Sequence, residues 1–221
     1  MATATTTAPA PIAKPVLRGW LHLAAFPTAI LAGLLLVATA PTPTARLTTA
    51  VYIAASAALF GISALYHRTN LTARATGLLK RLDHANIYLI IAGTYTPIAT
   101  LALEGTARTA LLTVVWTGAA AGIAFRTLWI GAPRWLYTPL YIILGWAAVF
   151  VLPQLVEGAG LAATVLIFAG GVLYTIGGIV YALKRPNPSV RWFGFHEVFH
   201  AFTLAAYVAQ FVAVALVVHG A

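Results

Sequence analysis

The chain contains no cysteine and little charge. Of its 221 residues, 61% are hydrophobic and 8% are charged, and only four are acidic. The lack of cysteine excludes disulfides and thiolate metal sites, so any metal must be bound by His, Asp or Glu. A soluble domain carries about 25% charged residues. The composition therefore predicts an integral membrane protein, and it predicts an all-α one because a helix satisfies its own backbone hydrogen bonds in lipid.

The few charges are mostly basic, with a formal net charge of +9. In so apolar a chain, Lys and Arg belong in cytoplasmic loops, where they face anionic lipid. No basic folded surface is left for nucleic acid. We therefore expect membrane lipids as partners and no nucleic acid, while the oligomeric state stays open.

Hydropathy and the charged or Gly/Pro-containing interruptions predict seven transmembrane helices of about 20 residues each. The predicted spans are residues 20–40, 47–66, 82–103, 109–130, 135–153, 160–183 and 196–219. Residues 1–16 are rich in Ala, Thr and Pro, which predicts a flexible tail. Residues 17–221 are predicted to form a single seven-transmembrane bundle.

Basic residues are distributed unequally between the predicted loops. Eleven Lys and Arg residues fall in the tail and in the second, fourth and sixth loops, whereas Arg46 and Arg108 alone fall on the other side. Short loops rich in Lys and Arg stay in the cytoplasm. The pattern predicts a multi-pass protein of the cell (cytoplasmic) membrane, with a cytoplasmic N-terminus and an outside C-terminus.

Ionisable residues from three distant spans fall at the cytoplasmic level. His67 ends span 2, Asp83 opens span 3, and His196 and His200 open span 7. Two histidines four residues apart lie on one helix face, about 40° apart, so both can bind one ion. Ionisable groups inside spans are costly and usually functional. The sequence therefore predicts a metal site near the cytoplasmic face, with Asp83 either as a fourth ligand or holding a metal-bound water.

The stretch HEVFH also matches the H-E-x-x-H motif of zinc proteases, in which the Glu is a general base. Downstream of His200 there is no acidic residue, and His219 lies roughly 28 Å further along a helix. Any further ligand must come from upstream, which disfavours a protease. Glu197 is expected to contact the basic loop or orient a ligand. We interpret His22 and His84 as residues outside the ligand set.

The segments SALYHR, LDHANIYLIIAGTYTP and FHEVFHAF resemble the signature segments of the progestin and adipoQ receptor superfamily, and more narrowly of its bacterial haemolysin III branch. The resemblance covers all seven predicted spans and implies a cytoplasmic N-terminus. It also implies a zinc ion on His67, His196 and His200. Asp83 would hold the zinc-bound water, and Ser63, one turn deeper than His67, would support the site.

Three imidazoles and a water are typical of catalytic zinc, whereas four protein ligands suit a structural ion. In the catalytic case Asp83 would be the general base and Ser63 a hydrogen-bond partner of water or oxyanion. A site near the headgroups favours a lipid substrate. The resemblance to ceramidase-like hydrolases points to an acyl lipid amide or ester and to membrane lipid homeostasis. The alternatives are a non-enzymatic sensor or receptor-like protein with a structural zinc, or a pore-forming cytolysin.

Overall fold

A computed structural model describes residues 14–129 and 131–220. Most of the predicted tail, residues 1–13, lies outside the described residues. Apart from an isolated bridge between Ser189 and Phe193, the described ranges contain only helices and connections. The α-helices are α1 (Trp20–Thr39), α2 (Pro43–Arg68), α3 (Ala73–Ala102), α4 (Gly105–Leu128), α5 (Arg134–Gly145), α6 (Leu152–Leu183) and α7 (Phe195–Gly220), with a 3₁₀ helix (Ala147–Val151) between α5 and α6.

The outer surface of the helices is apolar. Six helical stretches in the described part of the chain are long and apolar enough to cross a membrane. Large apolar side chains such as Leu31, Leu35, Ile143 and Phe150 are exposed on them. Soluble monomers rarely expose contiguous apolar surface on this scale. The prediction of an all-α membrane protein is therefore confirmed.

Capping residues extend α2 and α3 beyond their predicted apolar segments. Thr72 Oγ1 accepts a hydrogen bond from the Ala75 N–H at 3.3 Å, and α3 begins at Ala73, about two and a half turns before the predicted span at residue 82. Thr42 caps α2 in the same way, and Pro43 fills the first position, where an N–H would be unsatisfied anyway. Hydropathy detects the apolar part of a helix but not its capped end, which explains the difference.

The stretch Arg134–Leu183 is one of the six apolar helical stretches. The chain reverses its direction within this stretch, as two hydrogen bonds show. Near the start of α5, Arg134 Nη1 donates to Tyr181 O at 3.1 Å, at the end of α6. At the other end of α5, Trp146 Nε1 donates to Thr175 Oγ1 at 2.9 Å. Helix α5 is therefore antiparallel to the second half of α6.

A single glycine breaks α6. Gly160 has φ 78° and ψ 161°, a conformation that glycine adopts easily and that other residues avoid. The break lies at the first residue of the predicted span 160–183, whereas residues 154–159, predicted to lie between two spans, are helical. Backbone geometry at Gly160 thus separates the two halves of a continuous apolar stretch.

Two buried amides fix the helices that carry the site residues. Asn86 Nδ2, one turn after Asp83 on α3, donates to Ala58 O of α2 at 2.9 Å. Gln210 Nε2 of α7 donates to Ile167 O of α6 at 2.9 Å. A buried amide is stable only when it is paired. These bonds hold α3 against α2 and α7 against α6 in one register.

Candidate metal centre

Three imidazoles from α2 and α7 meet at one end of the bundle. His67 lies in the last turn of α2, and His196 and His200 lie in the first two turns of α7. Their ligand nitrogens all lie within 4.8 Å of one another. The Nε2 atoms of His67 and His196 are 3.1 Å apart. Nitrogens bound to a tetrahedral zinc at 2.0–2.1 Å lie about 3.4 Å apart, so this donor set fits a zinc-sized ion.

Asp83 lies at the edge of these three histidines. Its Oδ2 is 3.9 Å from His67 Nε2, and its side chain is 15% exposed. This distance suits a carboxylate that reaches the ion by a side-chain rotation, and it equally suits one that holds a water on the ion. Both roles considered for Asp83 therefore stay predictions.

Ser63 lies one turn before His67 on the same face of α2. Its side chain is buried, and its hydroxyl lies near the Asp83 carboxylate but makes no hydrogen bond of normal geometry among residues 14–129 and 131–220. An unpaired buried hydroxyl costs free energy unless a ligand satisfies it. Ser63 lines the same cavity as Asp83, which places its hydroxyl where a bound polar group can reach it.

The Glu of the HEVFH stretch is engaged away from the three imidazoles. Glu197 is 1% exposed, and its carboxylate accepts hydrogen bonds from Arg18 Nε and, at 2.8 Å, from the Gly194 N–H. Glu197 is the third residue of α7, the position from which a Glu reaches back to cap a helix N-terminus. It thus contacts the chain before α7, in line with one of its two expected roles, but its main partner is Arg18 near the N-terminus.

Residues 15–19, here called the N-terminal strap, lie against the site. The Val16 N–H donates to Arg191 O at 2.9 Å. Gly19 has φ 82°, and a Cβ at this position would lie 2.7 Å from His67 Cβ. Only glycine allows the chain to pass so close to His67. The sequence analysis did not predict the approach of residues 15–19 to His67. The glycine just before the first predicted span was a local signal of such a close approach.

The remaining histidines of the chain have different surroundings. His84 Nδ1 lies 2.7 Å from Lys80 O and its Nε2 lies 3.3 Å from Tyr181 Oη, so both nitrogens have protein partners. His219 lies at the far end of α7, near Thr39. His22, in contrast, stacks on His200 and is buried. Sequence reasoning did not predict the contact of His22 with His200, because it could not predict which face of α1 meets α7.

A family model described as "Haemolysin-III related" matches residues 11–211, which include every residue of the site. The chain belongs to the haemolysin III family. The resemblance inferred from the three motif segments is thereby confirmed.

Two relatives are 34% identical to this haemolysin III chain. The "Hemolysin-3 homolog" of Bacillus subtilis (strain 168) aligns over 134 residues, 61% of this chain and 60% of that protein. The "Hemolysin-3" of Bacillus cereus aligns over 130 residues, 59% of this chain and 57% of that protein. The alignments thus span about three fifths of the relatives' length.

A narrow cavity of about 130 Å³ extends from the histidines into the bundle of this haemolysin III protein. Ser63, Asp83 and His200 line its polar end, and Gln210 lines it ten residues further along α7, about 15 Å along the helix axis. Its walls are mainly apolar, and they include Ile87, Ile90, Ile91, Ile98, Ile142 and Trp146. The cavity therefore suits a molecule with a polar group at the histidines and an apolar tail.

Proposed function

We propose that this haemolysin III protein is a zinc-dependent hydrolase of an acyl lipid amide or ester, acting in membrane lipid homeostasis. The observation that supports it most is the group of three histidine nitrogens within 4.8 Å of one another, of which His196 and His200 line the polar end of an apolar cavity. Zinc held by three imidazoles supplies a Lewis acid and lowers the pKa of a bound water to about 7. Hydrolysis adds one water across the acyl bond and releases a fatty acid with an amine or alcohol.

Asp83, Ser63 and the isoleucines of the cavity wall would each have a separate role in the hydrolysis. Asp83, at 3.9 Å from His67, would accept a proton from the attacking water and hand it to the leaving group. Ser63 would donate its unpaired hydroxyl to the developing oxyanion. The isoleucines of the cavity wall would hold the acyl tail and keep water away from it.

We also propose seven crossings of the cytoplasmic membrane, and the contact between His67 and His196 supports this number. Residues at the same membrane level must be joined by an even number of crossings. Helices α3 and α4 supply two, so the stretch Arg134–Leu183 must supply an even number as well. Its 50 residues, with α5 antiparallel to the end of α6, fit two crossings of a core about 30 Å thick. The eleven basic residues in the tail and in the loops on the site's side favour a cytoplasmic location for the zinc.

A second candidate is a non-enzymatic sensor in which zinc only braces the bundle. Helix α2 packs mainly on α1 and α3, whereas α7 packs mainly on α6. An ion bound by His67, His196 and His200 would join two helices that otherwise make little contact. Direct ligation by Asp83 would complete four protein ligands, the arrangement of a structural zinc.

Metal content of the detergent-purified protein tests the zinc site. The wild type is expected to hold about one zinc per chain, and His67→Ala and His200→Ala are expected to lose it. His219→Ala, at the far end of α7, is the matched control and should retain it. A folded wild type that stays metal-free after zinc is supplied would overturn the proposal.

Asp83→Asn then separates the hydrolase from the sensor. For a hydrolase, the variant should keep zinc but lose release of fatty acid from a panel of acyl amides and esters in mixed micelles. For a sensor, the wild type itself releases none. Dye release from vesicles containing the protein tests the lytic action that the relatives' name "Hemolysin-3" suggests.

A further inference from the structure

His22 on α1 is a buried imidazole that lacks polar partners. It is 3% exposed, and neither Nδ1 nor Nε2 has a hydrogen-bond partner in the described ranges 14–129 and 131–220. A neutral imidazole carries one N–H donor and one acceptor nitrogen, and burying both without partners costs free energy. An unpaired polar ring at this depth therefore indicates a ligand that it contacts.

The aromatic neighbours of His22 restrict where its nitrogens can act. Its ring stacks on the His200 ring, with centroids 3.8 Å apart and planes 4° from parallel. Phe60 meets the ring nearly at a right angle, with centroids 5.2 Å apart. His22 also lines the cavity that Ser63 and Asp83 line. One face of the ring is covered by His200, and the residue lines the cavity, so a molecule bound in the cavity can approach the ring from there.

The parallel stack argues against His22 as a fourth ligand. A metal ion lies in the plane of an imidazole that binds it, because the nitrogen lone pair lies in that plane. An ion in the plane of His200 therefore lies in a different layer from the plane of His22. The lone pairs of His22 cannot point at this ion while the stack persists. His22 would instead hydrogen-bond an atom that the ion holds on the side of His22, because the stack keeps its ring beside that of His200.

We infer that His22 is a further residue of the metal centre, which hydrogen-bonds the atom occupying the ion's open position rather than binding the ion. This inference rests on the proposed zinc site. In the hydrolase, the atom is an oxygen of water or of the acyl group, so His22 shares with Ser63 the task of orienting it. The two residues approach from α1 and α2.

Anion binding by the cobalt-loaded protein tests this role without any turnover assay. The full chain in detergent is loaded with Co²⁺, and azide, a small anion that takes an open metal position, is titrated by visible absorption. The variants are His22→Phe, which keeps the stacked ring, and His22→Gln, which keeps a donor. His219→Phe is the control, with the same change at a histidine far from the site.

All four proteins are expected to hold one cobalt per chain. Because a hydrogen bond to a charged group is lost, His22→Phe should raise the Kd of azide by about tenfold to a hundredfold, with His22→Gln between it and the wild type. Equal azide affinity in the wild type and both variants would show that His22 is only a packing residue. This result would overturn the inference about His22 but not the proposed zinc site. Loss of cobalt from both variants, with the fold intact, would show that His22 binds the ion directly. This result would also overturn the inference. Failure of the wild type to hold a metal would instead remove the zinc site itself.

Discussion

The pair formed by Arg18 and Glu197 is expected to stabilise the fold without taking part in catalysis. Glu197 is 1% exposed, and the Arg18 side chain is 16% exposed. Removing one partner of a buried pair costs about 3–5 kcal/mol when the other charge stays uncompensated. Arg18→Met leaves a buried carboxylate with the Gly194 N–H alone, so we expect a loss of about 3 kcal/mol. Glu197→Gln leaves a guanidinium that can reach water, so we expect a loss of about 1 kcal/mol.

Thermal unfolding, followed through the fluorescence of the six tryptophans, measures these losses. For a chain of this size about 1 kcal/mol corresponds to about 2–4 °C in Tm, so Arg18→Met should lower Tm by about 6–12 °C. The double variant Arg18→Met with Glu197→Gln removes both charges and should be more stable than Arg18→Met alone. A double variant as unstable as Arg18→Met, or an Arg18→Met with unchanged Tm, would refute the buried-pair reasoning.

The variant Glu197→Gln also distinguishes a role of Glu197 in stability from the role of a general base, which the Glu has in a zinc protease. Glu197→Gln keeps an acceptor for the Gly194 N–H and changes none of the three histidines, so metal content should stay at the wild-type level. Any turnover of acyl lipid should stay as well. Loss of turnover with zinc and fold intact would instead show that Glu197 acts on the substrate, as in a zinc protease.

Three further outcomes are expected. Gly158→Ala would place a Cβ 1.8 Å from Ala102 O, so it should lower stability by about 1–3 kcal/mol, whereas Gly77→Ala, which meets no atom within 4 Å, should leave stability unchanged or raise it by up to about 1 kcal/mol. Because the chain has no cysteine, an impermeant maleimide on intact cells should label Thr106→Cys and spare Asn70→Cys, and the reverse pattern would contradict the proposed orientation. Zinc at a hundred times its Kd should raise the free energy of unfolding by about 2.7 kcal/mol and so raise Tm, and a chelator should reverse the rise in Tm.

Much of the candidate metal centre was predictable from the sequence because its geometry is local. His196 and His200 are four residues apart, a spacing that brings two side chains to one helix face whatever the tertiary structure. Their pairing with His67 required only that the end of α2 and the start of α7 lie at one level. Hydropathy and the distribution of basic residues predicted this level without knowledge of packing.

Other features depend on how each helix is oriented about its own axis and on which helices it lies close to. The periodicity of the sequence does not predict either of these. The position of His22 beside His200 depends on which face α1 turns toward α7, and a nearly uniform apolar helix carries no pattern that predicts this. The contact of Arg18 with Glu197 joins the N-terminal strap to α7 across almost the whole chain. The break at Gly160 is a backbone conformation inside an apolar run, so hydropathy records only a boundary there.

The five letters HEVFH have surroundings here that differ from those of the motif in a zinc protease. In a protease the Glu must remain free beside the ion, because its carboxylate removes the proton from water. Here His67 lies close to His196 from a separate helix, and a second carboxylate, that of Asp83, lies 3.9 Å from His67. Glu197 is thereby available to cap α7 and to hold Arg18. The spacing of two histidines predicts a metal site, but the carboxylate with access to that site has to be identified from the packing of the helices.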